Sequence, residues 1–134
     1  MSEEGSARPL RVMLVEDHIT FRQALAFMLD QDPGFAVVAQ AGTLAEARRD
    51  LDERETQEGI DAAVIDLALP DGNGVDLVED LRRHNPSLTV LVLSATLDRA
   101  NLAKAVEAGA DGLLEKLAGP GEIIGGLRRL AQIG

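Results

Sequence analysis

Five side chains, each at the carboxyl end of a short apolar run, carry the chemistry open to this sequence. Glu16 and Asp17 follow 10-LRVMLV-15, Asp66 follows the apolar residues Ala62 to Ile65, Ser94 ends 88-LTVLVLS-94, and Lys116 follows 112-GLLE-115. Taken singly, each has an ordinary explanation. Asp17 could cap a helix, Asp66 could end a strand before the turn 69-LPDGNG-74, Ser94 could be a turn residue and Lys116 a surface charge. Their shared position at the ends of four of the five apolar runs asks for a chemical reason. Three carboxylates held close repel one another, and without a cation some must take up protons. A hard divalent ion relieves that repulsion, and Mg²⁺ suits a site of few carboxylates completed by water and phosphate oxygens. The ion also neutralises charge on a phosphoryl group while a carboxylate acts as nucleophile. Lys116 adds a positive charge, and Ser94 a donor for a phosphoryl oxygen.

These ends meet only if the runs are neighbouring parallel strands. The runs 10-LRVMLV-15, 35-FAVVAQA-41, 60-IDAAVI-65, 88-LTVLVLS-94 and 112-GLLE-115 lack sustained polar alternation, which implies a sheet covered on both faces. Helical spacing fills the gaps between them. It groups Phe21, Ala24, Leu25 and Met28, then Gly74, Leu77, Val78 and Leu81. A T-L-A-E capping box at Thr43 precedes a stripe of Leu44, Ala47 and Leu51. Asp98 can cap a helix carrying Leu102 and Val106, and a last helix carries Ile123, Leu127 and Leu130. Crossovers in a parallel sheet are right-handed, which leaves few topologies. The pattern predicts an α/β, flavodoxin-like (βα)5 three-layer sandwich with its parallel five-stranded sheet in the order 2-1-3-4-5. In that order strands 1, 3, 4 and 5 share a pocket beyond their carboxyl ends, and strand 2 ends on Ala41-Gly42 with nothing ionisable.

A chain of 134 residues, 46% hydrophobic and 27% charged, suits one folded domain. We expect a flexible tail over residues 1–8 and the domain over 9–134. With no cysteine, neither a disulfide framework nor a thiolate metal site is available. The opening MSEEGSARP lacks the regions of a signal peptide, and no apolar run approaches a membrane span, so a cytoplasmic protein without membrane contact is expected. A net charge of −10 disfavours direct binding to nucleic acid, and the absence of Tyr and Trp leaves no stacking platform. The pairs Arg48-Arg49, Arg82-Arg83 and Arg128-Arg129 read as solvated helix faces.

In their order and spacing, 12-VMLVEDH-18, 64-VIDLALPDGNG-74, 92-VLSA-95 and 109-GADGLLEK-116 resemble the receiver domain of bacterial two-component response regulators. The resemblance runs from about Leu10 to Ile133. It implies that Asp66 is the phosphoacceptor and that Glu16, Asp17, Asp66 and the backbone carbonyl of Ala68 hold Mg²⁺. It makes Ser94 the switch hydroxyl and Lys116 the phosphate-contacting lysine. Small Ala95 leaves room for the phosphoryl group, and Pro70 and Gly74 shape the loop after Asp66. The ED-H opening and Ala-Gly-Thr before the second helix are similar to regulators with a LuxR-type helix-turn-helix output. A sensor histidine kinase is the implied partner, a homodimer is allowed, and DNA is reached only through an output domain absent from this chain. We expect a domain excised from a longer transcription regulator, with a stand-alone regulator as the alternative. Two positions depart from the family. Leu113 stands where Tyr or Phe usually reports phosphorylation by swinging inward, and Leu117 where Pro or Asp is frequent. A phosphorylation-independent interaction module, suggested by Leu113, is the competing reading. A Mg²⁺-dependent aspartyl-phosphate phosphatase is disfavoured, because it needs a second acid two residues after the nucleophile, where Ala68 stands. The expectation is therefore a phosphoprotein that is not an enzyme.

Overall fold

The computed structural model describes residues 8–54, 59–96 and 98–132. The elements run β1 (Leu10–Val15), α1 (Ile19–Gln31), β2 (Phe35–Ala41), α2 (Leu44–Arg54), β3 (Ala62–Asp66), α3 (Gly74–His84), β4 (Thr89–Ser94), α4 (Arg99–Ala108), β5 (Gly112–Glu115) and α5 (Pro120–Gln132). A small hairpin pairs Ala68–Leu69 with Gly72–Asn73 between β3 and α3. The five main strands are parallel in the order β2-β1-β3-β4-β5, as the sequence predicts. The tail expected over residues 1–8 falls on residues outside those described, apart from Arg8.

The two-residue period of a strand sorts its side chains into two cores. From β1, Met13 and Val15 join Leu44, Leu77, Val78 and Ala105 under α2, α3 and α4. Val12 and Leu14 join Leu25, Leu29, Ile123 and Leu127 under α1 and α5. Because both faces are covered, every residue of β3 is buried, Asp66 included.

Two of the predicted helix faces need correction. In α1 the buried residues are Leu25, Ala26 and Leu29, while Ala24 and Met28 are exposed and Phe21 is half-buried. The helix is apolar over so wide an arc that several stripes fit its spacing, and contact with β1 selects among them. In α4 the buried residues are Ala105 and Ala108, and Val106 is 64% exposed. Small side chains let this helix lie close to the sheet, which spacing alone does not reveal.

The edge of the sheet at the strand starts is closed by two acid–arginine pairs. Asp61, just before β3, accepts the Arg11 N–H at 2.9 Å and both arms of the Arg11 guanidinium at 3.0 Å. Asp111, just before β5, accepts the Val90 N–H at 2.8 Å and Arg82 Nη2 at 2.6 Å. Arg82 also donates to the carbonyls of Gly109, Pro86 and Leu88, so it is a structural brace and not the solvated charge that its sequence suggests. The other arginine pairs are used at the surface: Arg48 and Arg83 both meet Asp80, and Arg128 meets Asp32.

Gly74 begins α3 against the end of β3. A Cβ there would lie 2.4 Å from the Asp66 carbonyl oxygen, an overlap that only backbone movement can relieve. Gly125, on α5, would meet only the tip of Arg129, at 3.7 Å. Urea unfolding should therefore show Gly74→Ala to be destabilising by about 1–3 kcal/mol. Gly125→Ala should instead stabilise the protein by roughly 0.5–1 kcal/mol. A neutral Gly74→Ala would contradict the close approach.

Candidate functional site

Among the described residues, the buried polar or charged side chains are Glu16, Asp66 and Ser94, at 2%, 3% and 4% exposure. All three are residues singled out from the sequence, and all lie at strand ends on one edge of the sheet. Parallel register brings β1 beside β3, with Val15 opposite Ile65, so the next residues converge. Oxygen atoms of Glu16, Asp17 and Asp66 lie within 4.8 Å of one another, with Asp17 exposed at the mouth. Lys116 begins the short 3₁₀ turn after β5 and reaches back across the edge. Its Nζ donates to Glu16 Oε2 at 2.8 Å and to Asp66 Oδ2 at 3.0 Å. It also lies 5.4 Å from the centre of the Phe21 ring, a cation–π contact that shields it.

The remaining lone pairs are unequally used. Asp66 Oδ1 accepts the Ala68 N–H at 3.0 Å, and Glu16 Oε2 also accepts the His18 N–H at 2.9 Å. Glu16 Oε1 is buried and has no hydrogen-bond partner among the described residues. An orphaned carboxylate oxygen facing two other acids is what a hard divalent cation satisfies, so the residues present fit Mg²⁺. Burial pushes Glu16 up to about 7; its bonds to Lys116 and His18 oppose the rise, and the Asp66 charge adds to it. For Lys116 burial favours the neutral form, but the bonds to Glu16 and Asp66 outweigh it and hold the ammonium above the usual lysine value.

Ser94 does not bond to this cluster. Its hydroxyl donates to the Thr96 carbonyl at 2.5 Å and accepts the Thr96 N–H at 3.3 Å. A cleft of about 320 Å³ opens beside it, lined by Leu67, Ala68, Asn73, Ser94, Ala95 and Asn101. Leu113 is half-buried opposite Val92 and packs against the core beneath α3 and α4, while Leu117 is 89% exposed. Three supports escaped sequence reasoning. Arg22 donates to the Glu16 carbonyl at 2.8 Å, Phe21 lies under Lys116, and Asp71 bonds to the start of α2. Arg22 and Phe21 looked like ordinary helix residues, and Asp71 like an ordinary turn residue.

The profile of the response regulator receiver domain matches residues 12–128. The chain belongs to this family. The receiver is 38% identical over 107 residues to the DNA-binding transcriptional activator DevR/DosR of Mycobacterium tuberculosis, covering 80% of this chain and 48% of that protein. It superposes on a LuxR-family two-component response regulator from Aurantimonas sp. with a TM-score of 0.81 and 31% identity, covering 92% of this chain and 86% of the other. A response regulator from Burkholderia pseudomallei, solved with a phosphorylated aspartic acid, a calcium ion and citrate, gives 0.77 and 28%, over 92% and 69%. The receiver spans about half the length of the curated relatives it matches. Those relatives are mostly transcriptional regulators of two-component signalling. Among the described residues, no helix is long and apolar enough to cross a membrane.

The raised Glu16 value has a definite sign. A carboxyl whose folded pKa exceeds its unfolded one gives stability that is complete below about 4.5 and lost as pH rises through about 7. In the metal-free receiver, Glu16→Gln should therefore be more stable than wild type at pH 8, by about 3 kcal/mol. The difference should fall below about 1 kcal/mol at pH 5 and vanish only below about pH 4. Equal urea midpoints for the two proteins at pH 8 would show that Glu16 carries its charge there without strain.

Proposed function

We propose that residues 9–134 form a cytoplasmic phosphoacceptor receiver that takes a phosphoryl group onto Asp66 from a sensor histidine kinase. It then controls an output, a DNA-binding domain, with a second copy of the chain as a further partner. The observation that carries this reading is the convergence of Glu16, Asp17, Asp66 and Lys116 at one sheet edge, beside the buried Ser94. The relative with a phosphorylated aspartic acid supports it.

Mg²⁺ would be held by Glu16, Asp17, Asp66 and the Ala68 carbonyl, and when bound it neutralises charge on the phosphoryl group and lets the carboxylates stay ionised together. The Ala68 N–H and Lys116 orient the Asp66 carboxylate before a donor arrives. An Asp66 oxygen attacks phosphorus, the new O–P bond forms as the P–N bond to the donor imidazole breaks, and the released imidazole takes its proton from solvent. Lys116 can then transfer a hydrogen bond from the carboxylate to a phosphoryl oxygen. Ser94 would exchange the Thr96 carbonyl for another phosphoryl oxygen, moving the loop that leads into α4. Leu113, already packed in the core, supplies no polar tip to follow that movement, so we assign the response to the Ser94–Thr96 loop and α4.

A phosphorylation-independent module would have little use for two buried carboxylates and their lysine. Turnover of phosphate esters is disfavoured by Ala68, which offers no second acid.

With a small phosphodonor and Mg²⁺, intact mass should show one phosphoryl adduct on wild type and none on Asp66→Asn. A full adduct on the variant would overturn the assignment. Magnesium affinity should fall more in Asp17→Ala than in Glu16→Gln, because alanine removes the ligand oxygen whereas glutamine keeps one in place of Glu16 Oε1. A loss of at least about tenfold is expected for Asp17→Ala. The absence of Tyr and Trp makes calorimetry the suitable probe, and undiminished affinity in Asp17→Ala would refute its role as a ligand.

A further inference from the structure

One side chain ties the hairpin after Asp66 to another layer of the molecule. Asp71, at the hairpin tip, accepts the Leu44 N–H on Oδ1 at 2.8 Å and the Ala45 N–H on Oδ2 at 3.1 Å. These belong to the first turn of α2, whose N–H groups have no partner inside the helix. Thr43 serves the Glu46 N–H through its hydroxyl at 3.0 Å, and from the Ala47 N–H, which meets the Thr43 carbonyl at 3.1 Å, the regular helical bonds begin. So two of these three capped N–H groups are served by a segment 26 and 27 residues away. The Asp71 carboxyl is held below the usual range, first by the Leu44 N–H, so it meets the positive end of α2 as an anion. Apolar packing accompanies the clamp. Leu69 is buried with Leu44, and a Cβ at Gly72 would lie only 2.6 Å from Leu44 Cδ1.

The hairpin has little stability of its own, since its ladder pairs only Ala68 with Asn73 and Leu69 with Gly72. Its inner residue, Ala68, is the one whose N–H holds Asp66 Oδ1. We propose that Asp71 is a positioning residue: by clamping the hairpin tip to the start of α2, it fixes Ala68 against Asp66 and so sets the cation affinity of the acidic site. The inference rests on the Mg²⁺ reading given above. It also gives α2 a direct mechanical link to the loop that follows the phosphoacceptor.

Three variants test it, with amide hydrogen exchange on the metal-free receiver and calorimetric titration with Mg²⁺. Asp71→Ala removes the clamp, Asp71→Asn keeps an acceptor, and Thr43→Ala weakens the same helix end without touching the hairpin. Asp71→Ala should speed exchange of the Ala68 N–H and weaken Mg²⁺ binding roughly tenfold. Asp71→Asn should recover most of both. Thr43→Ala should lower the urea midpoint yet leave both readouts near wild type. If Asp71→Ala keeps wild-type exchange and affinity, or if Thr43→Ala changes them as much, Asp71 is merely a helix cap and the proposal fails. A wild-type receiver that binds no Mg²⁺ would defeat the metal reading separately, and exchange at Ala68 would still decide whether Asp71 holds the hairpin.

Discussion

Two buried carboxylates on adjacent strands would drive this sheet edge apart if nothing lay between them. Glu16 and Asp66 are almost fully enclosed, and like charges a few ångströms apart in such surroundings repel by about 4 kcal/mol. Lys116 bonds to both and converts a repulsive pair into a three-centre ionic contact. That contact constrains the chain. β1 and β3 must be neighbours, β5 must stop where its next residue can reach across β4, and Phe21 must lie against the lysine ammonium. The contact is still incomplete, because Glu16 Oε1 has no partner among the described residues and burial pushes the Glu16 carboxyl up to about 7. The edge is therefore stable enough to fold and charged enough to attract a cation.

The same residue type has opposite fates at the two ends of the strands. Asp61 and Asp111 precede β3 and β5, where each meets an N–H of the neighbouring strand and an arginine, Asp61 through both arms of Arg11 and Asp111 through one arm of Arg82. Their negative charge is consumed in holding the edge together. Asp66 ends β3 and meets a single backbone N–H and a lysine shared with Glu16. Capacity left over after structure is satisfied is what separates a site carboxylate from a bracing one. Arg82 belongs to the bracing set. It joins the end of α3, the following loop, the start of β4 and the Gly109 cap of α4, where φ is +108° and a Cβ would meet its own side chain at 2.9 Å. The C-terminal end of α4 is thereby anchored, whereas its first six residues, Arg99–Lys104, include no buried one.

Much of this was legible in the residues alone. Strand positions follow from continuous apolar runs, because a strand covered on both faces has no reason to alternate. Parallel direction and strand order follow from the alternation with helices, and the convergence of Glu16, Asp66 and Lys116 follows from that order. The helix faces of α2 and α3 were readable because Leu44, Ala47, Leu51, Leu77, Val78 and Leu81 form single narrow stripes. In α1 and α4 the apolar arc is wide or made of small residues, so only packing against the sheet could choose between Met28 and Leu29, or between Val106 and Ala105. Contacts between segments remote in sequence were also decided in three dimensions. Nothing local distinguishes Asp71 from any turn aspartate, Arg82 from Arg83, or Asp111 from a helix-end acid. Their partners come from other loops, and hydrogen bonds over such separations leave no periodic trace in the chain. Residue type and spacing determined which charges reach the sheet edge; tertiary packing decided which of them are neutralised there and which are left to bind.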